Sequence, residues 1–297
     1  MRYVIGGASG FLGSALIRHL EGHGNEVTRL VRSGTPGDDV SLWDPAAGEV
    51  DADVIERADV VINLSGAPVA HWPWTTGYRQ EILDSRVTAT FTLANAVAAS
   101  SRKPVMISAS GMNHYGTDRG GEMLVEDSGS GSGFLAHVCQ EWELATKPAE
   151  LAGARVCHVR TSAVAHRDGG ALKSLVPLFK LGLGGKLGSG KQYFSLISRN
   201  DWVRGIEHLA TNEASSGAYN FSGPHPTTNA VFTKELAHAL HRKAFLAVPS
   251  PAMKIALGGL GTELLGSLRI IPKKLLDEGF GFAEPDTALI IEAALRQ

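Results

Sequence analysis

Seven residues, Gly7-Ala8-Ser9-Gly10-Phe11-Leu12-Gly13, stand between a short apolar run and a helical pattern. This arrangement restricts what the chain can fold into more than any other segment does. Arg2 to Gly6 reads as a strand. Phe11 to Gly22 places Leu12, Ala15, Leu16 and Leu20 on one face of a helix, and Gly24-Asn25 stops that helix ahead of a second strand, Glu26 to Val31. The result is a βαβ unit with a glycine-rich first turn. Such a turn lets backbone approach a pyrophosphate closely, and the helix behind it offers unsatisfied N–H groups and a favourable dipole. Gly7, Ala8, Ser9, Gly10, Phe11 and Leu12 are therefore expected to seat the phosphates of a dinucleotide. A tight turn that holds no ligand is the plainer alternative.

The pattern continues through the first half. Strand candidates at Asp59 to Leu64, Pro104 to Ala109 and Arg155 to Arg160 alternate with helical stretches at Thr76 to Ala99 and Ser132 to Glu150, the latter kinked or ended by Pro148. Beyond Thr161 the texture changes to glycine-rich loops and short mixed segments, closing with a helix near Thr287 to Leu295. The expected architecture is α/β: a Rossmann-type doubly wound parallel sheet over residues 1–165, to which 200–222 returns, and a smaller C-terminal substrate lobe over 166–297. The Ser-Gly repeat over residues 128–133 suggests a mobile lid.

Composition removes several partners. A formal net charge of -2 gives no basic excess for nucleic acid or acidic lipid. No apolar run reaches the length of a membrane helix, because Gly, Lys and Glu interrupt the candidate at Lys254 to Leu268. Two cysteines, Cys139 and Cys157, and no signal-peptide pattern suggest a reducing cytoplasm. The histidines look scattered, and His238 and His241 lack a third ligand nearby, so no metal is expected. Lys180, Lys186 and Lys191 offer charge to an anionic substrate group or are surface lysines.

The end of the second strand bears on which dinucleotide fits. An Asp or Glu there binds a ribose 2′-hydroxyl, whereas this chain has Val31-Arg32-Ser33. A guanidinium beside a hydroxyl suits a 2′-phosphate. The reading is NADP(H), with a solvated surface Arg32 as the alternative.

Further matches are specific. Asn63-Leu64-Ser65-Gly66, Asp84-Ser85-Arg86 and Ser108-Ala109-Ser110 leading to Tyr115-Gly116 resemble the extended short-chain dehydrogenase/reductases. More narrowly, Trp43-Asp44-Pro45, Phe134-Leu135-Ala136, Trp142-Glu143, Asp168-Gly169-Gly170-Ala171-Leu172 and Ile271-Pro272 resemble an atypical subgroup of nucleoside-diphosphate-sugar epimerase-like proteins, some labelled SulA-type cell-division inhibitors. The resemblance spans essentially the whole chain. It implies a ligand cleft between the two lobes, with Asn63, Leu64 and Ser65 on the adenosine side, Ser85 and Arg86 approaching from the next helix, and Arg160 at a strand end.

The same resemblance exposes departures. Standard members pair a Tyr with a Lys four residues on, the Lys lowering the phenol pKa and holding the nicotinamide ribose. Those places hold Leu135 and Cys139 here, and neither can do that work. Substitutes are sought at Tyr115 first, then Ser108 and Ser110; His137 and Cys139 are weaker. In the second lobe Leu196 and Ser198 stand where relatives commonly have Trp and His, and Asp201 is read as a helix cap. Two functions stay open: an NADP(H)-dependent oxidoreductase or epimerase-like enzyme acting on an unidentified small molecule, and a regulatory protein that senses NADP(H) and signals through a protein partner.

Overall fold

In the computed structural model, which describes residues 1–296 apart from the side chains of residues 252, 254, 256 and 257, eight strands form one sheet. In chain order they are β1 (Arg2–Gly6), β2 (Glu26–Val31), β3 (Val40–Asp44), β4 (Glu49–Val50), β5 (Val60–Asn63), β6 (Val105–Gly111), β7 (Val156–Thr161) and β8 (Gly217–Phe221). Their spatial order is β8-β7-β6-β5-β1-β2-β3-β4, parallel throughout except for the β3–β4 hairpin. The chain runs outward from β1 to β4, then returns to β5 and runs outward the other way. The strand order therefore reverses between β1 and β5, where open α/β sheets leave a crevice at their carboxyl ends.

The helices are α1 (Phe11–Gly22), α2 (Ala52–Arg57), α3 (Thr76–Ala99), α4 (Phe134–Leu144), α5 (Lys147–Leu151), α6 (Leu172–Lys180), α7 (Arg199–Thr211), α8 (Asn229–Ala239), α9 (Ser250–Leu265), α10 (Lys273–Asp277) and α11 (Thr287–Arg296). Strand alternation sorts the core into two layers. Tyr3, Ile5, Val60, Ile62, Ile107, Cys157 and Val159 face α1 and α7, meeting Leu16, Leu20, Trp202, Ile206 and Leu209. Val4, Val61, Met106 and Val156 face the other side, meeting Ile55, Ala89, Leu93, Val97 and Ala149 of α2, α3 and α5. Burial on both faces is why these strands read as continuous apolar runs. The doubly wound Rossmann fold is thus as expected.

The stretch read as a single helix over 132–150 is two, α4 and α5, separated at Ala145-Thr146, with Pro148 in the first turn of the second, where its missing N–H costs nothing. The second core joins Leu172, Val176 and Phe179 of α6 to Phe232 and Leu236 of α8 and Ile290, Ile291 and Ala294 of α11. One short pairing and one apolar cluster tie the segment around Arg269 to the loop after β6: Met123–Leu124 lies beside Arg269–Ile270, and Leu124, Leu268 and Ile270 pack with Tyr115. No described helix is long and apolar enough to cross a membrane. Of the run at Lys254 to Leu268, the side chains of Lys254, Ala256 and Leu257 lie outside the described residues.

Asp201 is not the cap of α7. Ser198 is, its Oγ accepting from the Asp201 N–H at 2.9 Å. The buried Asp201 carboxylate instead accepts the backbone N–H groups of Ala283 and Glu284, each at 2.9 Å, and tethers the segment before α11.

Candidate functional site at the carboxyl ends of β1, β5 and β6

The three glycines of the first turn do different work. Gly7 has φ +78°, and a Cβ there would fall 2.6 Å from the Leu64 carbonyl carbon, so the turn presses directly on the segment after β5. At Gly13 a Cβ would fall 2.4 Å from the Gly7 oxygen, so only glycine lets α1 approach the turn. Gly10 precedes α1 in extended conformation with no side chain capping the helix, and the first helical bond is from Ser14 N–H to Gly10 C=O at 2.9 Å. The N–H groups of Phe11, Leu12 and Gly13 are left without an intrahelical acceptor. Ser9 and Gly10 are exposed, while Ala8 is buried in the α1-side core. The Phe11 ring packs against Gly169 and His166.

Arg32 and Ser33 are exposed just beyond β2 and Val31 is half-buried. Arg32 shares a shallow hollow with Leu42, Trp43 and Asp44. Among the described residues it has no carboxylate partner. Three acids line the same hollow, Asp44, Glu49 and Asp51; Asp44 Oδ1 accepts the N–H groups of Ala46 and Ala47 at 2.9 and 3.3 Å, and Asp51 Oδ1 those of Asp53 and Val54 at 2.9 and 3.4 Å.

After β5, Asn63 is fully buried and serves the backbone rather than a ligand: it donates to Thr90 Oγ1 at 2.8 Å and accepts the Ser65 N–H at 3.0 Å. Leu64 N–H bonds Gly6 C=O at 2.9 Å, which locks the two sides of the crevice together. Ser85 Oγ accepts the Ala67 N–H at 2.9 Å. Arg86 is 9 % exposed, donates to Ile82 C=O at 2.9 Å, and lies 4.9 Å over the Trp142 ring. Its guanidinium rests against exposed Gly66, where a Cβ would sit 3.0 Å from Cζ. It pairs with neither Glu81 nor Asp84, and no carboxylate among the described residues compensates it. Burial pulls its pKa down.

The candidates for proton transfer are buried and hydrogen-bonded within the protein. Tyr115 is 0 % exposed; its hydroxyl donates to Asn220 Oδ1 at 2.7 Å and accepts from Arg160 at 3.0 Å. Burial raises its pKa against the opposing charge of Arg160. Ser108 is fully buried within β6, its hydroxyl 3.2 Å from Ala109 C=O. Ser110 is buried and donates to Glu143 Oε1 at 2.7 Å. Arg160, expected beside the cofactor, is buried in the same network: Nε and Nη2 grip the two Glu143 oxygens at 2.8 and 2.9 Å, while Nη1 reaches Tyr115 and Glu126 C=O. Burial pushes the Glu143 pKa up, but Arg160's hydrogen bonds and charge outweigh it and hold the carboxyl below its ordinary value. In all four residues the polar atoms are hydrogen-bonded to other groups of the protein.

Leu135 and Cys139 face the same region from α4. Leu135 packs with Trp74, Ile82 and Val138, and Leu260 of α9 lies against them. Cys139 is buried, its thiol pushed up to about 11 by burial, its Sγ 3.6 Å from Gly111 C=O. One turn beyond Leu260, Glu263 accepts from Asn113 Nδ2 at 2.8 Å and Thr117 Oγ1 at 3.0 Å. Burial raises its pKa, against those two hydrogen bonds. Nothing in the sequence signals Glu263, since its partners lie 146 and 150 residues away. His137 is exposed beside Glu141, and Lys180, Lys186 and Lys191 are all exposed. The loop at 128–133 is pinned rather than free: Gly131 N–H bonds His114 C=O at 2.9 Å, Gln140 donates to Gly131 C=O and Arg119 to Gly129 C=O. A separate hollow of about 600 Å³ lies at the other ends of the strands, lined by Arg2, Tyr3, Thr28 and Arg57, away from this crevice.

The model of the NAD dependent epimerase/dehydratase family matches residues 3–222, and a domain of unknown function, DUF1731, matches 248–297. This chain belongs to the NAD dependent epimerase/dehydratase family. Among family members, an epimerase family protein of Mycobacterium bovis is 39% identical over 279 residues, covering 94% of this chain and 92% of that protein. A chloroplastic epimerase family protein of Arabidopsis thaliana is 32% identical over 291 residues, covering 95% and 83%. The crystal structure of the human epimerase family protein SDR39U1 with NADPH superposes with a TM-score of 0.90 at 29% identity, each chain covered in full.

Proposed function

We propose that this family member binds NADP(H) across the carboxyl ends of β1, β2 and β5 and uses it in an oxidoreductase or epimerase-like reaction on a small molecule held between the two lobes. The observation that carries the reading is the disposition of charge around the glycine turn. Arg32 and Arg86 flank the crevice, neither has a carboxylate partner among the described residues, and the residues ending β2, Val31-Arg32-Ser33, include no acid where a ribose 2′-hydroxyl needs one. A cation without an internal partner favours an anion supplied by the ligand. Arg32 with Ser33 suits the 2′-phosphate; the open N–H groups at the start of α1 suit the pyrophosphate. The human relative's NADPH complex supports the same nucleotide.

For proton transfer we assign Glu263 in place of the absent Tyr and Lys. Its helix packs beside Leu135, and a carboxyl with a raised pKa holds a proton nearer neutrality than an ordinary one. When bound, the nicotinamide supplies the hydride chemistry. The chain's part is to orient it and to give or take a proton at the Glu263 carboxyl.

The test is to measure NADPH and NADH affinity on the purified chain, then incubate it with NADPH and a panel of carbonyls and nucleotide sugars. Redox is followed at 340 nm and isomerisation by chromatography. Tighter binding of NADPH, with turnover reduced in Glu263→Gln, is expected. Equal affinities for the two nucleotides, unchanged in Arg32→Ala, overturn the nucleotide assignment. Tight NADPH binding without turnover on any substrate overturns the enzymatic part and favours a sensor.

A further inference from the structure

Outside the crevice, α1 and α7 bring together a set of side chains that none of the preceding roles uses. His19 lies in the last turn of α1, His23 follows four residues on as its C-cap, and α7 presents Glu207 to both. His19 Nε2 lies 2.8 Å from Glu207 Oε2, and His23 Nδ1 lies 3.0 and 3.1 Å from the two carboxylate oxygens. The imidazole rings meet edge to face with centroids 4.4 Å apart. One ligand atom from each residue can be chosen so that all lie within 4.8 Å of one another.

We propose that His19, His23 and Glu207 form a binding site for a first-row divalent metal ion of the zinc class, which fastens α1 to α7. Two imidazole nitrogens and one carboxylate oxygen are a donor set suited to zinc, whereas magnesium and calcium take mostly oxygen ligands. A tetrahedral ion with bonds of about 2.0–2.1 Å keeps its ligand atoms roughly 3.3 Å apart. The His-to-carboxylate separations of 2.8 to 3.1 Å fall just inside that value and all three ligand atoms lie within 4.8 Å of one another, so side-chain rotations that even out these spacings admit the ion. His19 and Glu207 are mostly shielded while His23 is half exposed, which leaves a side open for ion entry and for a water as fourth ligand. The site is at the opposite end of α1 from the glycine turn, so its role is to hold the helix and not to touch the reacting atoms. The sequence alone hides it, because the third ligand is 184 residues from His23.

The experiment uses the full chain stripped with a chelator and desalted. Zn²⁺ is titrated in competition with a chromophoric chelator, Co²⁺ binding is followed by its visible d–d bands, and Tm is measured with and without Zn²⁺. About one Zn²⁺ per chain, a rise in Tm, and affinity at least roughly tenfold weaker in His23→Ala and absent in the His19→Ala/His23→Ala double variant are expected. NADPH binding in each variant reports that the fold is intact; if the double variant does not fold, His23→Ala at its exposed position decides alone. Zn²⁺ binding no greater in the wild type than in the variants, whether present in all or absent from all, overturns the proposal and leaves the three groups as a hydrogen-bonded cluster only.

Discussion

At the β1–β5 edge the polar groups of the backbone are left open, whereas at the ends of β6 and β7 the polar side chains satisfy one another. The glycine turn ends in free N–H groups, and the cations beside it lack carboxylates. Barely two strands away, Ser110, Glu143, Arg160, Tyr115 and Asn220 form a closed chain of hydrogen bonds. The first region is built to be completed by a ligand. In the second the hydroxyls are engaged by neighbouring side chains, although Glu126 Oε2, His114 Nδ1 and Trp142 Nε1 at its border are buried without a hydrogen bond among the described residues. Residue type thus says less about function than how deeply a group is sealed: Glu263 also has internal partners, but it is only half-buried where Tyr115, Ser108 and Ser110 are buried.

The sharpest way to break the contrast is to fill the open side. In Gly13→Val the new side chain starts 2.4 Å from the Gly7 oxygen, a backbone atom that cannot yield without moving the turn. Loss of detectable NADPH binding by fluorescence titration is expected, and normal affinity would show that the turn is not the phosphate seat. Next in size is Arg160→Ala, which strands the Glu143 carboxylate in the core. Removing one partner of a buried ion pair costs about 3–5 kcal/mol, measured by denaturant unfolding, while NADPH affinity of the folded fraction stays near wild type. The same pair sets an acid limit. Because Glu143's pKa is held below its ordinary value, its contribution is present above the ordinary carboxylate pKa and is lost as pH falls through the lowered one. Arg160→Ala should therefore flatten the acid limb of the stability curve.

A smaller change sharpens the open side. Arg32→Ala removes charge-assisted hydrogen bonds to a 2′-phosphate, and NADPH affinity should fall by about 10- to 100-fold. NADH affinity, measured in parallel, should not change. A parallel loss for both nucleotides would place Arg32 on another part of the ligand.

These two regions also differ in how far the sequence reveals them. The strands and helices from Arg2 to Val31 follow from period and punctuation, because each is fixed by neighbours within a few residues. The buried network follows from nothing local: Tyr115 meets Asn220 across 105 residues and Glu263 meets Asn113 across 150. Local sequence therefore leaves open whether Tyr115 packs or transfers a proton, and gives no sign of Glu263. The Ser-Gly segment misled for the same reason. Its composition suits mobility, yet a Cβ at Gly131 would fall 2.2 Å from the Tyr115 oxygen, so that glycine serves close packing against a distant loop. Likewise His19 and His23 are unremarkable until α7 brings Glu207 to them.

The smallest expected effect tests the closed side directly. Tyr115→Phe keeps the ring and its contact with Arg160, 5.2 Å from the guanidinium carbon, but removes the hydroxyl that Arg160 donates to and that donates to Asn220. Each partner keeps other bonds: Arg160 its two to Glu143 and one to Glu126, Asn220 its donations to Leu124 and Ile271 carbonyls. Only one acceptor and one donor lose a contact, so the cost should be about 1–3 kcal/mol, read by thermal or denaturant unfolding. Since the hydroxyl is sealed from the crevice, any turnover should persist in Tyr115→Phe at the wild-type kcat, and Glu263→Gln should be the variant that lowers it. A kcat abolished by Tyr115→Phe with stability unchanged would mean that the β6 end opens to the ligand, and the line between the open and closed regions would have to be redrawn through Tyr115.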